Sequence, residues 1–467
     1  GKPGHQEGAL TRVITYGTFD LFHEGHRRLL ERAKACGDHL TVGVTTESYD
    51  DTRGKLNVHD SLVERIRKVT ESGLADEVIV EEYEGQKIQD IQRYDIDVFV
   101  IGSDWEGKFD YLRDYCEVVY LDRTKGVSST KLREADGVIR LGVVGAGRIA
   151  RRLIRESPYV SGVDVETVWT RDPDKCRAFA EAHGLPEGPS ASFEELLSRV
   201  DAVHIASPHE THVPYARQAL EAGVHVLCEK PMALRADEVT ELYDLANAKG
   251  LVLLEALKTA FAPGFQRMVA IARGGTIGSI RSVDATFTKL IRTGREVDSP
   301  VGGAITELAS YPLLAITKLL GNHPTEVICR SFKPEGSIVE QFARIDLQYP
   351  HAIATAKVGI GVKAEGNLVV AGTRGYLYVP SPWWLTEYFE TRFEDPRENR
   401  KYYYKYDGDG LRYELAEFVG MIRGGAHESF KLPHQESLAI ARLIEESRAH
   451  PHLFGVAPEA DRGPLLP

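Results

Sequence analysis

Twice in this chain a short apolar run leads through a glycine turn into a helical run, and that repeated pattern constrains the fold more than any other feature. First, Val13-Ile14-Thr15-Tyr16 precedes Gly17-Thr18-Phe19-Asp20-Leu21-Phe22-His23-Glu24-Gly25-His26 and a helical stretch from Arg27 to Ala35. Later, Val138 to Val144 precedes Gly145-Ala146-Gly147-Arg148-Ile149-Ala150, and the helical pattern continues to Glu156. A strand, a tight turn and a helix N-terminus make a place for phosphate, because backbone N–H groups and the helix dipole face the anion. The glycine spacing of the second turn, GxGxxA between strand and helix, is that of a dinucleotide site.

A chain of 467 residues is too long for one ordinary domain, and three core-forming units are expected. Hydrophobic residues make up 42% and charged residues 27%, the balance of a soluble globular protein. The net charge of −12 argues against a nucleic-acid partner while leaving room for a local basic pocket. Cys36, Cys116, Cys176, Cys228 and Cys329 are scattered without CxxC spacing, so neither a disulfide framework nor a protein-held metal is expected. No apolar run reaches the roughly 18 residues a membrane span needs, and residues 1–10 lack a signal-peptide core. A cytoplasmic protein with no membrane partner is expected, and residues 1–10 read as a flexible tail.

Between Val13 and Lys131 the runs Val13–Tyr16, Leu40–Thr45, Glu77–Val80, Val98–Gly102 and Val118–Leu121 read as strands. Helical runs separate them at Leu29–Ala35, Ser61–Ser72 and Gln86–Tyr94, which implies a parallel sheet with ligands at the carboxyl ends of its strands. His23, His26 and Gly102 would meet there. Imidazoles at 23 and 26 can donate to phosphate oxygens, and glycine at 17 and 25 lets backbone approach closely. That arrangement suits nucleotidyl transfer, in which the protein mostly positions reactants and neutralises charge.

The stretch Gly17–His26 resembles the HxGH signature of the cytidylyltransferase superfamily, and Arg123-Thr124-Lys125-Gly126-Val127-Ser128-Ser129-Thr130-Lys131 resembles its RTxGISTT signature. Ile96 to Asp110 is similar to glycerol-3-phosphate cytidylyltransferase in particular. The resemblance implies a nucleotidyltransferase domain over 11–135 that uses CTP with Mg²⁺ and a polyol phosphate. It implies catalytic roles for His23, His26, Lys55 and Arg123, and nucleotide contacts from Gly17, Thr18, Phe19, Asp20, Gly25, Gly102, Asp104, Ser128, Ser129 and Thr130. Arg65 would hold the substrate phosphate, and Asp20 would orient the loop or the metal. Ser103 stands where the glycerol enzyme typically has Asp, and Glu24 where it often has Trp, which leaves the acceptor alcohol open.

In the second domain, Gly145, Gly147, Arg148 and Ile149 would cradle a dinucleotide pyrophosphate. The next strand, Val165–Trp169, ends in Thr170-Arg171-Asp172. A neutral residue followed by arginine suits the 2′-phosphate of NADP, while Asp172 keeps NAD open. Ser207-Pro208-His209 with His212, and Glu229-Lys230-Pro231, follow in the order of the Gfo/Idh/MocA oxidoreductase family, which residues 139–450 resemble. The resemblance makes Ser207, Pro208, His212, Glu229 and Lys230 cofactor contacts and Lys230 the group that polarises the reacting oxygen. It also picks out Gly302–Tyr311, where Glu307 replaces the usual Asp and Tyr311 the usual His; tyrosine at that place also occurs in the glucose-fructose oxidoreductase and dihydrodiol dehydrogenase branch.

After Pro263, strands are expected at Ser282–Thr288, Val327–Phe332, Ala343–Gln348, Ile353–Val358, Asn367–Ala371 and Tyr376–Val379, and helices at Tyr413–Ile422 and Gln435–Ser447. The aromatic tract Trp383, Trp384, Tyr388, Tyr402, Tyr403 and Tyr404 reads as core more readily than as substrate wall or interface. The expected fold is α/β throughout: a Rossmann-like nucleotidyltransferase domain at 11–135, a dinucleotide-binding Rossmann domain at 138–262, and a C-terminal α/β domain with an open antiparallel sheet at 263–450 that pairs in a homodimer or larger homo-oligomer. Residues 451–467 read as a tail. The fusion is expected to make a CDP-activated polyol by NAD(P)H-dependent reduction of a sugar phosphate and then cytidylyl transfer. The alternatives are a C-terminal half that acts on the CDP-linked product, or one that binds dinucleotide without turnover and serves as a dimerising module.

Overall fold

In a computed structural model, described for residues 9–122 and 137–454, the chain divides into two compact units between Val203 and His204. The first unit opens with a parallel sheet of β1 (Arg12–Gly17), β2 (His39–Thr45), β3 (Glu77–Glu81), β4 (Val98–Gly102) and β5 (Glu117–Leu121), ordered β3-β2-β1-β4-β5. Successive side chains leave opposite faces, so Val13 joins one core with Leu30, Leu40 and Val42 while Ile14 joins another with Ile91, Ile96 and Phe99. Helices α1 (Glu24–Lys34), α2 (Glu47–Thr52), α3 (Leu62–Glu71) and α4 (Gln86–Arg93) cover the faces. Strand order reverses between β1 and β4, the place where a crevice opens at the carboxyl ends.

All five expected strands and the three expected helices are present. Helix α2 lies in what the sequence presents as a polar loop. Its N-cap Thr46 accepts the Tyr49 N–H at 3.1 Å, and that cap rather than any apolar stripe starts it.

A second parallel sheet contains β6 (Ile139–Val144), β7 (Val163–Trp169), β8 (Ala202–Ile205), β9 (His225–Glu229) and β10 (Leu253–Ala256), in the order β10-β9-β8-β6-β7. Helix α5 (Arg148–Glu156) follows the glycine turn after β6, and α6 (Pro173–Ala182) follows β7.

The second unit carries a nine-stranded, mostly antiparallel sheet. Its strands are β11 (Ile280–Thr288), β12 (Glu326–Phe332), β13 (Phe342–Gln348), β14 (Ile353–Gly359), β15 (Leu368–Gly372), β16 (Gly375–Val379), β17 (Tyr388–Phe393), β18 (Arg400–Tyr403) and β19 (His452–Phe454). Only the β11–β14 and β12–β19 pairs run parallel. The strand β19 corrects the expectation of a tail from 451, since it pairs alongside Arg330–Phe332. β17 and β18 were hidden by interleaved charges; Phe389 and Thr391 are nevertheless buried on one face, and Tyr402 stacks on Phe389.

Candidate active sites

His23 caps α1 and is the hinge of the first site. Its Nδ1 accepts the Gly25 N–H at 3.0 Å, and Nδ1 of His26 accepts the His23 N–H at 3.2 Å. Neither Nδ1 can then carry a proton, so each neutral ring holds its proton on Nε2 and is a donor there. Burial first, then the neighbouring charges of His23 and Lys55, hold His26 well below the ordinary histidine range, so that ring stays neutral. Glycine at 25 is obligatory for this fold-back: a Cβ there would sit 2.8 Å from Cε1 of His23.

The cleft in front of these rings is lined by Gly17, Thr18, Phe19, Asp20, His23, His26, Lys55, Gly102 and Asp104, which the sequence assigned to it. Arg53 and Lys87 line it as well: Arg53 belongs to the same basic loop, Arg53-Gly54-Lys55, from which the sequence singles out Lys55, and Lys87 is the residue sequence reasoning missed. Arg53 donates to Asp50 Oδ1 at 3.1 and 3.2 Å and to the Thr18 hydroxyl, while Thr45 donates to the same Asp50 oxygen at 2.7 Å. Asp50, buried on α2, thereby fixes the turn after β1 to the end of β2. Lys87 pairs with Glu81 at 2.5 Å and lies 4.7 Å from the Tyr16 ring centroid. Burial raises the Glu81 carboxyl although Lys87 opposes it. Enclosure, then the charge of Arg53, lowers Lys55 to about 8.

Arg65 is placed differently from the expected phosphate contact. It is 0% exposed, and its guanidinium donates to the carbonyls of Thr18 (2.9 Å), Thr45 (2.8 Å) and Asp60 (3.1 Å) with Asp50 3.5 Å away. It ties together the carboxyl ends of β1 and β2 from beneath the cleft. Asp20 orients the loop: it accepts N–H groups of His59 (2.9 Å) and Asp60 (2.7 Å) and the Ser161 hydroxyl (2.5 Å). Gly25 shapes the His23 ring and is not itself a lining residue. Arg123, Ser128, Ser129 and Thr130 lie outside the described residues.

The dinucleotide features of the first unit follow the carboxyl ends of β6 and β7. Gly145 has φ +109°, a conformation open to glycine, and nothing lies within 4 Å of a Cβ built on Gly147, which leaves the start of α5, at Arg148 and Ile149, approachable. Thr170 is half-buried and Arg171 exposed. Asp172 is the N-cap of α6, its Oδ1 accepting N–H groups of Asp174 (3.0 Å) and Lys175 (3.3 Å).

In the second unit, Lys230 follows β9, donates to the backbone carbonyl of Glu307, and lies 5.3 Å from the Tyr311 ring centroid. The Glu307 carboxylate turns instead to His209 Nε2 at 2.7 Å. Burial alone would raise Glu307, but His209 and then Lys230 hold it below the usual carboxylate range. Tyr311 stacks on Phe287 (5.1 Å), which stacks on Trp384 (3.7 Å), so one member of the aromatic tract does back this site. Trp383 is core, its Nε1 donating to Thr286 at 2.8 Å. The Ser207 hydroxyl shares a 2.6 Å hydrogen bond with Thr211 after Pro208, and His212 bridges the carbonyls of Ser207 (2.9 Å) and Pro231 (2.8 Å). Two carbonyls favour the imidazolium, yet burial prevails and lowers His212 to about 4. Glu229 shares a 3.0 Å contact with His204 Nε2.

A cationic cleft at the carboxyl ends of one parallel sheet, and a lysine–tyrosine pair in a chain that carries a GxGxxA turn, define a nucleotidyltransferase joined to a dinucleotide-dependent oxidoreductase. A cytidylyltransferase-like family matches residues 14–135, an oxidoreductase family with an NAD-binding Rossmann fold matches 139–257, and the GFO/IDH/MocA C-terminal domain matches 265–378. Glycerol-3-phosphate cytidylyltransferase of Bacillus spizizenii is 52% identical over 125 residues, which are 27% of this chain and 96% of that protein. Trans-1,2-dihydrobenzene-1,2-diol dehydrogenase of Bos taurus is 30% identical over 323 residues, 66% of this chain and 96% of that protein. KijD10, a 3-ketoreductase from Actinomadura kijaniata, superposes with a TM-score of 0.60 at 24% identity over 68% of this chain and 99% of its own. The chain therefore belongs to the glycerol-3-phosphate cytidylyltransferase-like family through its first part and to the Gfo/Idh/MocA oxidoreductase family through the rest.

Proposed function

We propose that this chain makes a CDP-activated polyol, transferring a cytidylyl group from CTP to a polyol phosphate in its first domain and reducing a carbonyl with NADPH in the remainder. The observation that carries the reading is that His23 and His26, each with Nδ1 accepting a backbone N–H, line one cleft together with Arg53, Lys55 and Lys87. A phosphate oxygen of the acceptor attacks the α-phosphorus, a new P–O bond forms, and the bond to the β-phosphate breaks to release pyrophosphate. The two imidazoles donate to the α-phosphoryl oxygens, and the cations neutralise the leaving pyrophosphate. Mg²⁺ would arrive with the triphosphate, and Asp20, which orients the loop at the cleft, is a carboxylate beside it.

NADPH is preferred over NADH because Asp172 is used as the α6 cap and an exposed arginine, Arg171, stands beside it at the end of β7. When bound, the reduced nicotinamide supplies a hydride to the carbonyl carbon. Lys230 holds the carbonyl oxygen, Tyr311 delivers the proton to it, and the Glu307 carbonyl fixes Lys230. Two orders of reaction have support. Reduction of a keto or aldehyde sugar phosphate before transfer suits a transferase domain so close to the glycerol 3-phosphate enzymes. Reduction of the CDP-linked product is favoured by the structural neighbours, one crystallised with NADP and TDP-benzene and another a UDP-N-acetylglucosamine 3-dehydrogenase.

Incubation with CTP, Mg²⁺ and a panel of keto sugar phosphates, with and without NADPH, followed by mass analysis, tests the reading. A CDP-polyol formed only with NADPH supports reduction first. Lack of pyrophosphate release from CTP with every polyol phosphate tried would remove the transferase activity. The domain limits 11–135, 138–262 and 263–450, the cytoplasmic location and a homodimer built on the large sheet belong to the same proposal.

A further inference from the structure

The nucleotidyl-transfer cleft has a second wall that the cytidylyltransferase family region does not supply. Besides the residues of β1, β4 and α1, it is lined by Val138, Ser157, Pro158, Ser161 and Asp164, from the start of the dinucleotide-binding region. The wall is fastened, not merely adjacent. Leu56 N–H donates to the Tyr159 carbonyl at 2.7 Å and Ser161 N–H to the Leu56 carbonyl at 2.9 Å, a short parallel bridge. Lys55 Nζ donates to the Pro158 carbonyl at 2.5 Å, Ser161 Oγ to Asp20 at 2.5 Å, and Lys108 to the Tyr159 hydroxyl.

The Bacillus spizizenii relative is covered over 96% of its length by a 125-residue match within the first domain. Residues 157–164 lie outside the 14–135 that the cytidylyltransferase-like family matches, so the wall is an addition to that family's own region. What the wall adds is chemistry of another kind. The first domain offers cations and N–H donors, which suit phosphates. The wall offers the half-buried Asp164 carboxylate, close enough to Lys55 to stabilise its charge, in the same cleft. A carboxylate accepts hydrogen bonds from hydroxyl groups, and a polyol phosphate has hydroxyls where its phosphate ends.

Resting on the transferase reading above, we infer that residues 157–164 form the acceptor-selecting wall of the transfer site, with Asp164 taking hydroxyls of the polyol. Ser161 is a positioning residue: it acts through Asp20, whose other partners, His59 and Asp60, hold the loop beyond Lys55.

The test is steady-state cytidylyl transfer by the full chain, comparing the parent with Asp164→Ala, Asp164→Asn, Ser161→Ala and Ser161→Thr over polyol phosphates of increasing length. Asp164→Ala should raise KM for the best acceptor about ten- to hundred-fold, the loss of a hydrogen bond to a charged group, with KM for CTP within two-fold. Asp164→Asn should flatten the preference among acceptors. Ser161→Ala should lower kcat, and Ser161→Thr should restore it. An unchanged acceptor profile in Asp164→Ala, in an active enzyme, overturns the wall, as does an equal rise of KM for CTP. A parent enzyme that transfers to no polyol phosphate overturns the transferase reading and the wall with it.

Discussion

The His23 N–H donates to Nδ1 of His26 at 3.2 Å while the two rings stack with centroids 3.9 Å apart. The first histidine thus sets the tautomer of the second through backbone, and the same short turn sets its own through Gly25. Replacing His26 by Ala removes one preorganised donor and the partner of the His23 backbone. Transferase kcat should fall about 10²- to 10³-fold with KM for CTP changed far less, measured by pyrophosphate release.

Lys55 gives the transfer site a basic limb. A lysine lowered to about 8 is charged below that value and neutral above it, so neutralisation of the triphosphate is lost as pH rises through about 8. The free-enzyme profile, kcat/KM for CTP, should therefore decline above about pH 8. Lys55→Arg should carry activity to higher pH, since a guanidinium does not titrate there. In the kcat profile the limb moves up, because bound triphosphate favours the charged amine.

Arg65 serves as a separate test of placement. Its removal takes a donor from three carbonyls and leaves the buried Asp50 carboxylate with Arg53 as its remaining ion-pair partner, and Arg65→Ala should cost about 3–5 kcal/mol in urea unfolding of the first domain. At a temperature where the variant stays folded, KM for the acceptor should match the parent. A selective rise in acceptor KM without a stability loss would restore the phosphate role expected from sequence.

For the oxidoreductase, Lys230→Ala should abolish NADPH oxidation while binding, followed by nicotinamide fluorescence, persists. Tyr311→Phe should slow turnover about 10²- to 10⁴-fold at similar NADPH affinity. Steady oxidation in Lys230→Ala would assign the proton and charge work to other groups.

Arg171→Ala should raise KM for NADPH at least ten-fold and leave NADH unaffected, since the lost partner is a 2′-phosphate. Equal effects on both cofactors would place the adenosine end elsewhere.

What was legible in the sequence is what lies within one contiguous stretch. The turn Gly17–His26 carries its own cap, its own tautomer control and its own glycine requirement, so ten residues suffice to read it. Arg65 was misread because a helical arginine looks the same in sequence whether it faces a phosphate or three carbonyls. Asp50, Lys87 and Arg53 were passed over because their meaning depends on Thr18 and Tyr16, which chain order keeps far away. Trp384 reaches the Lys230 site through Phe287 and Tyr311, a stack assembled from three separate segments. Charges between the buried positions of β17 concealed its period of two, and three residues at 452–454 were too few to show one.

The bridge between Leu56 and Val160 has a consequence for anyone who would take the chain apart. Val160, Val163 and Val165 are buried, and they line the cleft that the first domain closes. Excised, the first half would leave two backbone groups of Leu56 orphaned, and the remainder would carry a raw apolar lip with the Tyr159 carbonyl and Ser161 N–H orphaned, an invitation to self-association. The transfer domain here shares its cleft with the chain that follows it, and a recombinant half cut between them should prove sticky.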